Sequence, residues 1–257
     1  MRVFLDVGAH VGETLPVALD RRYGFDRVHC FEPVFACWER LERHADARVV
    51  VHRFGLLDSA GQRTVHAPGS LGASLFDDVG ATGPTEVCRF ARASDWVRAN
   101  VAPEDVAFAK VNCEGAECDI ITDLLEAGML GRIRSVLVHF DAAKHPSIRH
   151  RVDEVKRRLL DVGVTSVVDA RDVPGQSHVD RVARWLDETG ARVSRSGVGI
   201  DERAGRLTRT LRFSTLPRVV RRVRLGAVAR AVMPAGVYAR MKAAILGYPP
   251  ANPGPDR

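Results

Sequence analysis

Short runs of apolar, β-favouring residues alternate along this chain with stretches of helical spacing, and the alternation predicts an α/β fold. Val3, Phe4, Leu5 and Val7 form the first run, dense enough for a strand buried on both faces. Thr14 to Leu19 predicts a helix, Val28 to Phe31 a second strand, and residues 34–44 a helix with Phe35, Trp38 and Leu41 on one side. Val49 to Phe54 reads as strand three, Gly55 to Gly61 as a turn, and Thr64 to Ala67 as the start of a small strand. Residues 68–84 are rich in Gly, Ser, Pro and Asp and read as a loop, its core Gly72 to Phe76 a mobile wall. Val87 to Val97 leads into a short helix, and Val106 to Val111 is the fourth strand of the main sheet. A helix over 119–130 ends at Gly131, Ser135 to Phe140 is strand five, and 147–162 is a charged amphipathic helix. Thr165 to Val168 is a further strand and 177–189 a helix; Arg192 to Ser194 and Leu207 to Phe213 then read as a closing antiparallel pair.

The chemistry gathers at the ends of these strands. Gly8 and Gly12 bracket a tight turn, where glycine tolerates unusual backbone angles and lets a ligand approach the main chain. Glu32 follows Gly8 by one strand–helix–strand unit, and an acid there can accept both hydroxyls of a ribose. An ordinary strand–helix turn is the plainer alternative, and the Glu32-Pro33 pair tells against it. A dinucleotide site wants the spacing G-x-G-x-x-G, whereas this chain has Asp6-Val7-Gly8-Ala9-His10-Val11-Gly12. Asp6 would repel a pyrophosphate and suits the cationic amino-acid end of S-adenosylmethionine.

Ligands in open α/β sheets sit at the carboxyl ends of the strands, which makes Lys110, Asn112, Glu114 and Glu117 candidates at the end of strand four. Glu117 has an equally good alternative as a helix-start acid that complements the dipole. His139 and Asp141 end strand five; a histidine beside an aspartate can act as a general base, although a structural histidine is the commoner case.

Composition sharpens this in four ways. A chain of 257 residues with 46% apolar content can hold one large domain with an appendage. Its 5 cysteines are scattered and read as reduced thiols, and Cys113, Cys118 and His139 lack the spacing of a zinc site. No uninterrupted apolar run reaches membrane-span length, and the immediate start of strand one leaves no room for a signal peptide, so a cytoplasmic protein is expected. Between Arg203 and Arg257 the formal charge is +11 against a total of +6, so the first 202 residues carry −5. Residues 214–246 mix arginines with apolar residues at helical spacing around Pro234. They fit a basic amphipathic extension packed on the body or on a second subunit of a homo-oligomer, an interfacial helix on anionic lipid, or a clamp for a phosphorylated substrate. Nucleic acid is disfavoured, because no aromatic residues interleave with the basic ones. Residues 247–257 read as a disordered, Pro-rich tail.

These residues together resemble the FkbM family of S-adenosylmethionine-dependent methyltransferases over roughly residues 3–141. The resemblance rests on Asp6 to Gly12, Phe31-Glu32-Pro33, Gly55 to Gly61, Gly72-Ala73-Ser74 and, most specifically, Lys110-Val111-Asn112-Cys113-Glu114-Gly115-Ala116-Glu117. It implies a Rossmann-like class I methyltransferase sandwich over residues 1–213, with a mostly parallel seven-stranded sheet and an antiparallel final strand. The implied activity is transfer to hydroxyls of sugars, glycans or secondary metabolites; N- or carboxyl methylation, or a non-catalytic cofactor-binding module, are the alternatives. Carried over by position, Asp6, Gly8 and Gly12, with Ala9 and His10 in the same turn, border the methionine moiety. Glu32 and Pro33 take the ribose, and Leu57 and Asp58 the adenine region, with Ser74 and Asn112 completing the cofactor set. Lys110, Glu114 and Glu117 surround the methyl, and the base is His139 aided by Asp141, or else Glu114. The chain departs from the family at Asn112, where an Asp is usual, and at His139, near which an acid is common. The missing carboxylate weakens the case for a divalent cation, and no metal is expected.

Overall fold

The computed structural model describes residues 1–70, 72–77 and 83–193. Nine strands occur among them: β1 (Arg2–Val7), β2 (Arg27–Phe31), β3 (Val49–His52), β4 (Gly55–Leu57), β5 (Gly61–His66), β6 (Thr85–Arg92), β7 (Val106–Val111), β8 (Ile133–Val138) and β9 (Val167–Asp169). The helices are α1 (Leu15–Ala18), α2 (Phe35–Leu41), α3 (Ala93–Asn100), α4 (Glu117–Glu126), α5 (His150–Asp161) and α6 (His178–Glu188). Six strands form one parallel sheet in the order β3-β2-β1-β7-β8-β9, a Rossmann-like arrangement with helices on both faces. The remaining three form a small sheet, β4-β6-β5, between the two halves of the large one in sequence.

Strand alternation divides the core cleanly. Val3, Leu5 and Val7 of β1 and Ala107, Ala109 and Val111 of β7 join the cluster that holds α3, α4 and α5. Phe4, Val28, Cys30, Phe108 and Leu137 point the other way, into the cluster that holds α1 and α6. Helix α6 is secured by Trp185, buried against Phe4 and Phe108 at ring separations of 6.4 and 6.0 Å, whose indole N–H donates to Ser135 Oγ at 2.9 Å. Its start is set by Ser177, which accepts from the Asp180 amide while the Asp180 carboxylate accepts from the Ser177 amide.

The structure corrects several expectations. Gly55 to Leu57 is a strand rather than a turn, and Thr85 to Arg92 is a strand ahead of α3. On α2 the core-facing residues are Cys37 and Leu41, while Phe35 is exposed and rests edge-on against Trp38. Helix α4 begins at Glu117 and stops at Glu126, with Gly128 in the left-handed region leading into a short 3-10 turn. The sheet has six described strands, all parallel; Arg192 and Val193 are irregular, and Ser194, Leu207 to Phe213 and the segments 214–246 and 247–257 lie outside the described residues.

Replacing Trp185 with alanine removes the largest side chain beneath α6 and is expected to cost about 3–5 kcal/mol, measured by urea unfolding. A loss below about 1 kcal/mol would show that α6 is not anchored in this way.

Candidate functional site

Strands β2 and β3 step away from β1 on one side, and β8 and β9 from β7 on the other, so the order reverses between β1 and β7. A crevice opens at such a reversal, outside the strand carboxyl ends. Gly8 sits there at φ +76°, and a Cβ on it would lie 1.9 Å from the backbone oxygen of Asn112. Only glycine fits both the backbone angle and the approach to β7. The amides of Gly8 and Ala9 both donate to the Phe31 carbonyl at 3.1 Å, which ties the turn to the end of β2.

A cavity of about 330 Å³ occupies the crevice. Leu56, Val65 and Phe90 of the small sheet, with Val34 and Cys37, form an apolar part; Gly8, Lys110, Asn112 and Glu114 line it along the strand ends. Thr14, Ser177, His178 and Val179 line it from the α1 and α6 side. That volume is in the range of small-molecule sites.

Glu32 lies on the cavity wall, nearly buried. One carboxylate oxygen accepts from the His10 amide and the other from the Val34 amide, both at 2.9 Å. Burial pushes its carboxyl up to about 7 against the pull of those two amides. The group is thus fixed in place, with lone pairs left on both oxygens. His10, held at φ +50°, also meets Glu13 at 2.6 Å through Nδ1.

Asp6 and Lys110 are register partners on adjacent strands and lie on the same sheet face. Lys110 Nζ donates to the Gly8 carbonyl at 2.6 Å and stands 3.0 Å from Asp6 Oδ1. Asp6 is fully buried, and burial raises its carboxyl despite the lysine and the Thr14 hydroxyl beside it. Neither Asp6 oxygen meets a donor in full hydrogen-bond geometry, and the buried His10 Nε2 and Asn112 Oδ1 also lack partners. Unpaired polar atoms gathered around one cavity are what a polar ligand would satisfy.

Glu114, at φ +47°, faces the cavity; Lys144 bridges it to Asp141 at 3.2 and 3.1 Å. Burial, and then a hydrogen bond with the Asp141 carboxyl, push Glu114 up to about 7. Ser74 Oγ donates to the Glu114 carbonyl at 2.6 Å and so pins the loop to the β7–α4 turn. Glu117 does something different. Buried, it accepts from the amides of Cys113, Gly115 and Ala142 and organises the turn, which is the helix-start role.

Of the cofactor residues inferred from sequence, Gly8, His10, Glu32, Pro33, Ser74 and Asn112 line the cavity. Asp6 stands behind the wall, Ala9 and Gly12 shape the turn, Leu57 is in the core, and Asp58 is exposed and bonded to Ser59. Lys110 and Glu114 line the cavity; His139 and Asp141 do not form a pair. Instead Asp141 partners Glu114 and Lys144, while His139 Nε2 lies 2.9 Å from His178 Nδ1. Burial and the Lys110 charge hold His139 down at about 4, so it is neutral at pH 7. Sequence reasoning does not single out His178; the Ser177-His178-Val179-Asp180 cap is the signal that marks it as the start of a helix.

Because Glu32 binds its proton more tightly folded than unfolded, its contribution is fully present below pH 4.5 and is lost as the pH rises through about 7. Glu32→Gln removes that titration. The stability of the variant relative to wild type is therefore expected to improve by about 3 kcal/mol between pH 4 and pH 8, read from denaturant unfolding at each pH. A pH-independent difference would place Glu32 in water.

No family model matches the chain, and no curated protein matches it. Among solved structures, the chain resembles one described as methyltransferase FkbM from Methylobacillus flagellatus KT, at 16% identity and a TM-score of 0.40. The likeness covers 64% of this chain and 38% of that one, so it spans little more than a third of that protein's length.

Proposed function

We propose that the chain is a methyltransferase that uses S-adenosylmethionine and acts on a hydroxyl of a small-molecule acceptor, a sugar or glycoside or a secondary metabolite. The observation that carries this reading is the amide-held Glu32 beside the Gly8 turn, in a cavity whose charge is acidic. Lys110 is the sole lysine or arginine among the described residues lining it, and its ammonium is already engaged by Asp6 and the Gly8 carbonyl. The other charged side chains lining it are the carboxyls of Glu13, Glu32 and Glu114, the last two partly ionised near pH 7, so the cavity suits a cationic sulfonium and offers a pyrophosphate no clamp.

The residues present fit the cofactor. Glu32 would hold the ribose diol, the apolar wall of Val34, Leu56, Val65 and Phe90 the base, and the unpaired atoms of His10 and Asn112 its polar groups. When bound, the cofactor supplies an already activated methyl group. The chain itself must still align the acceptor oxygen with the methyl–sulfur bond and take its proton. Glu114 is the residue placed to take that proton, since it faces the cavity and a carboxyl titrating near 7 can accept one at neutral pH. An acceptor hydroxyl that took the methyl group would pass its proton to Glu114, with Lys144 beside it. No described helix is long and apolar enough to cross a membrane, and attachment of the basic segment 214–246 to a membrane surface stands as a separate proposal.

A base must be deprotonated to act, so turnover on a hydroxyl acceptor is expected to rise with pH and level off above about 7. Glu114→Gln is expected to lower kcat by roughly 10²- to 10⁴-fold and to abolish that limb, leaving S-adenosylhomocysteine affinity within about twofold. The check is radiolabelled methyl transfer to a panel of glycosides and hydroxylated metabolites. Turnover within a few-fold of wild type would place the base elsewhere, and transfer to amines alone would replace the hydroxyl reading.

A further inference from the structure

The α1 and α6 side of the cavity carries a file of hydrogen-bonding groups that the methyl-transfer chemistry does not use. Thr14 Oγ1 lies 3.4 Å from His178 Nε2, and His178 Nδ1 lies 2.9 Å from His139 Nε2. Thr14 and His178 line the cavity, whereas His139 stands behind His178 at the end of β8. Two neutral imidazoles at this distance share one proton. When His139 Nε2 donates it, His178 Nδ1 accepts and the His178 proton stands on Nε2, toward Thr14 and the cavity. The Thr14 contact is long enough for a closer oxygen to take that N–H.

Both rings are neutral at pH 7. Burial and the Lys110 charge hold His178 at about 3 and His139 at about 4, so the file offers hydrogen bonds without adding positive charge beside a sulfonium. Topology says which part of a ligand reaches it. A ribose on Glu32 lies at the end of β2, and the strand order then leads across β1 and β7 toward β8, away from the adenine-sized apolar pocket. A cofactor held in this way would bring its far end, the amino-acid group, to Thr14 and His178.

We propose that His178 binds the carboxylate of the cofactor's amino-acid portion through Nε2–H, and that His139 is a positioning residue that fixes this tautomer. The inference rests on the S-adenosylmethionine reading. It also gives a role to His139, which stands behind His178 at the end of β8.

The test compares S-adenosylhomocysteine with 5′-methylthioadenosine, which has the same nucleoside thioether and no amino acid, by calorimetric titration of the full chain. His178→Ala is expected to weaken S-adenosylhomocysteine roughly tenfold and to leave 5′-methylthioadenosine within about twofold. His139→Ala is expected to show the same selective loss in smaller measure, and His139→Gln, whose amide can still donate to His178, to recover most of it. Equal weakening of both ligands, or of neither, would overturn the assignment. Wild-type chain that binds neither ligand would instead remove the cofactor reading on which it rests, and the two failures are distinct.

Discussion

Two opposite charges lie side by side on neighbouring strands at the point where the sheet order reverses, both almost out of reach of water. Taking an aspartate and a lysine out of solvent is costly, and leaving either alone there costs several kcal/mol more. Their arrangement constrains everything near it. Lys110 ties the carbonyl of Gly8 to β7, Gly8 can approach β7 only because it lacks a Cβ, and the turn that follows presents its amides to Phe31 and Glu32. A lysine with two partners is also a lysine that is not free to recognise a phosphate. The other ionisable groups on the cavity wall are chiefly carboxyls, and the proposed reading sets a cationic ligand group against them.

The cavity has two sides because β1 and β7 send alternate residues to opposite faces. One side is built from α1 and α6 and carries Thr14 and His178; the other is built from the small sheet, the loop at Ser74 and the β7–α4 turn, and carries Glu114. Two strained residues, His10 at φ +50° and Glu114 at φ +47°, stand at the ends of β1 and β7. Left-handed backbone at non-glycine residues is unfavourable and persists where surrounding contacts impose it. Here the contacts are the Glu32 bond to the His10 amide and the Ser74 bond to the Glu114 carbonyl. Glu117 reinforces the second of these by collecting two amides of the same turn, Cys113 and Gly115, and the Ala142 amide from the segment after β8.

The part of this that can be read from sequence is the part written in local spacing. The distance from Gly8 to Glu32 is the length of one strand–helix–strand unit, so the turn and its acid are recognisable together, and the strand ends at Lys110 and His139 follow from apolar runs. The small sheet is harder: Gly55 to Leu57 is too short to show a period, and β6 alternates polar residues with Val87, Cys88 and Phe90 in a way that shades into the following helix. Residues placed by tertiary contact are not legible. Asp141 follows His139 by two residues, yet its carboxylate turns to Lys144 and Glu114, and the imidazole finds His178, 39 positions along the chain. Asp58 resembles a ligand residue by position and lies exposed. The fold is thus legible in outline, whereas the partners of each polar side chain depend on how α6 returns to the carboxyl end of β8.

The central claim is that the crevice at the end of β1 holds a nucleoside through Glu32. Calorimetric titration with S-adenosylhomocysteine on the wild type and on Glu32→Ala tests it most directly. The expected result is micromolar binding by the wild type that Glu32→Ala loses. Folded wild type that does not bind, or a variant that binds equally well, would contradict it.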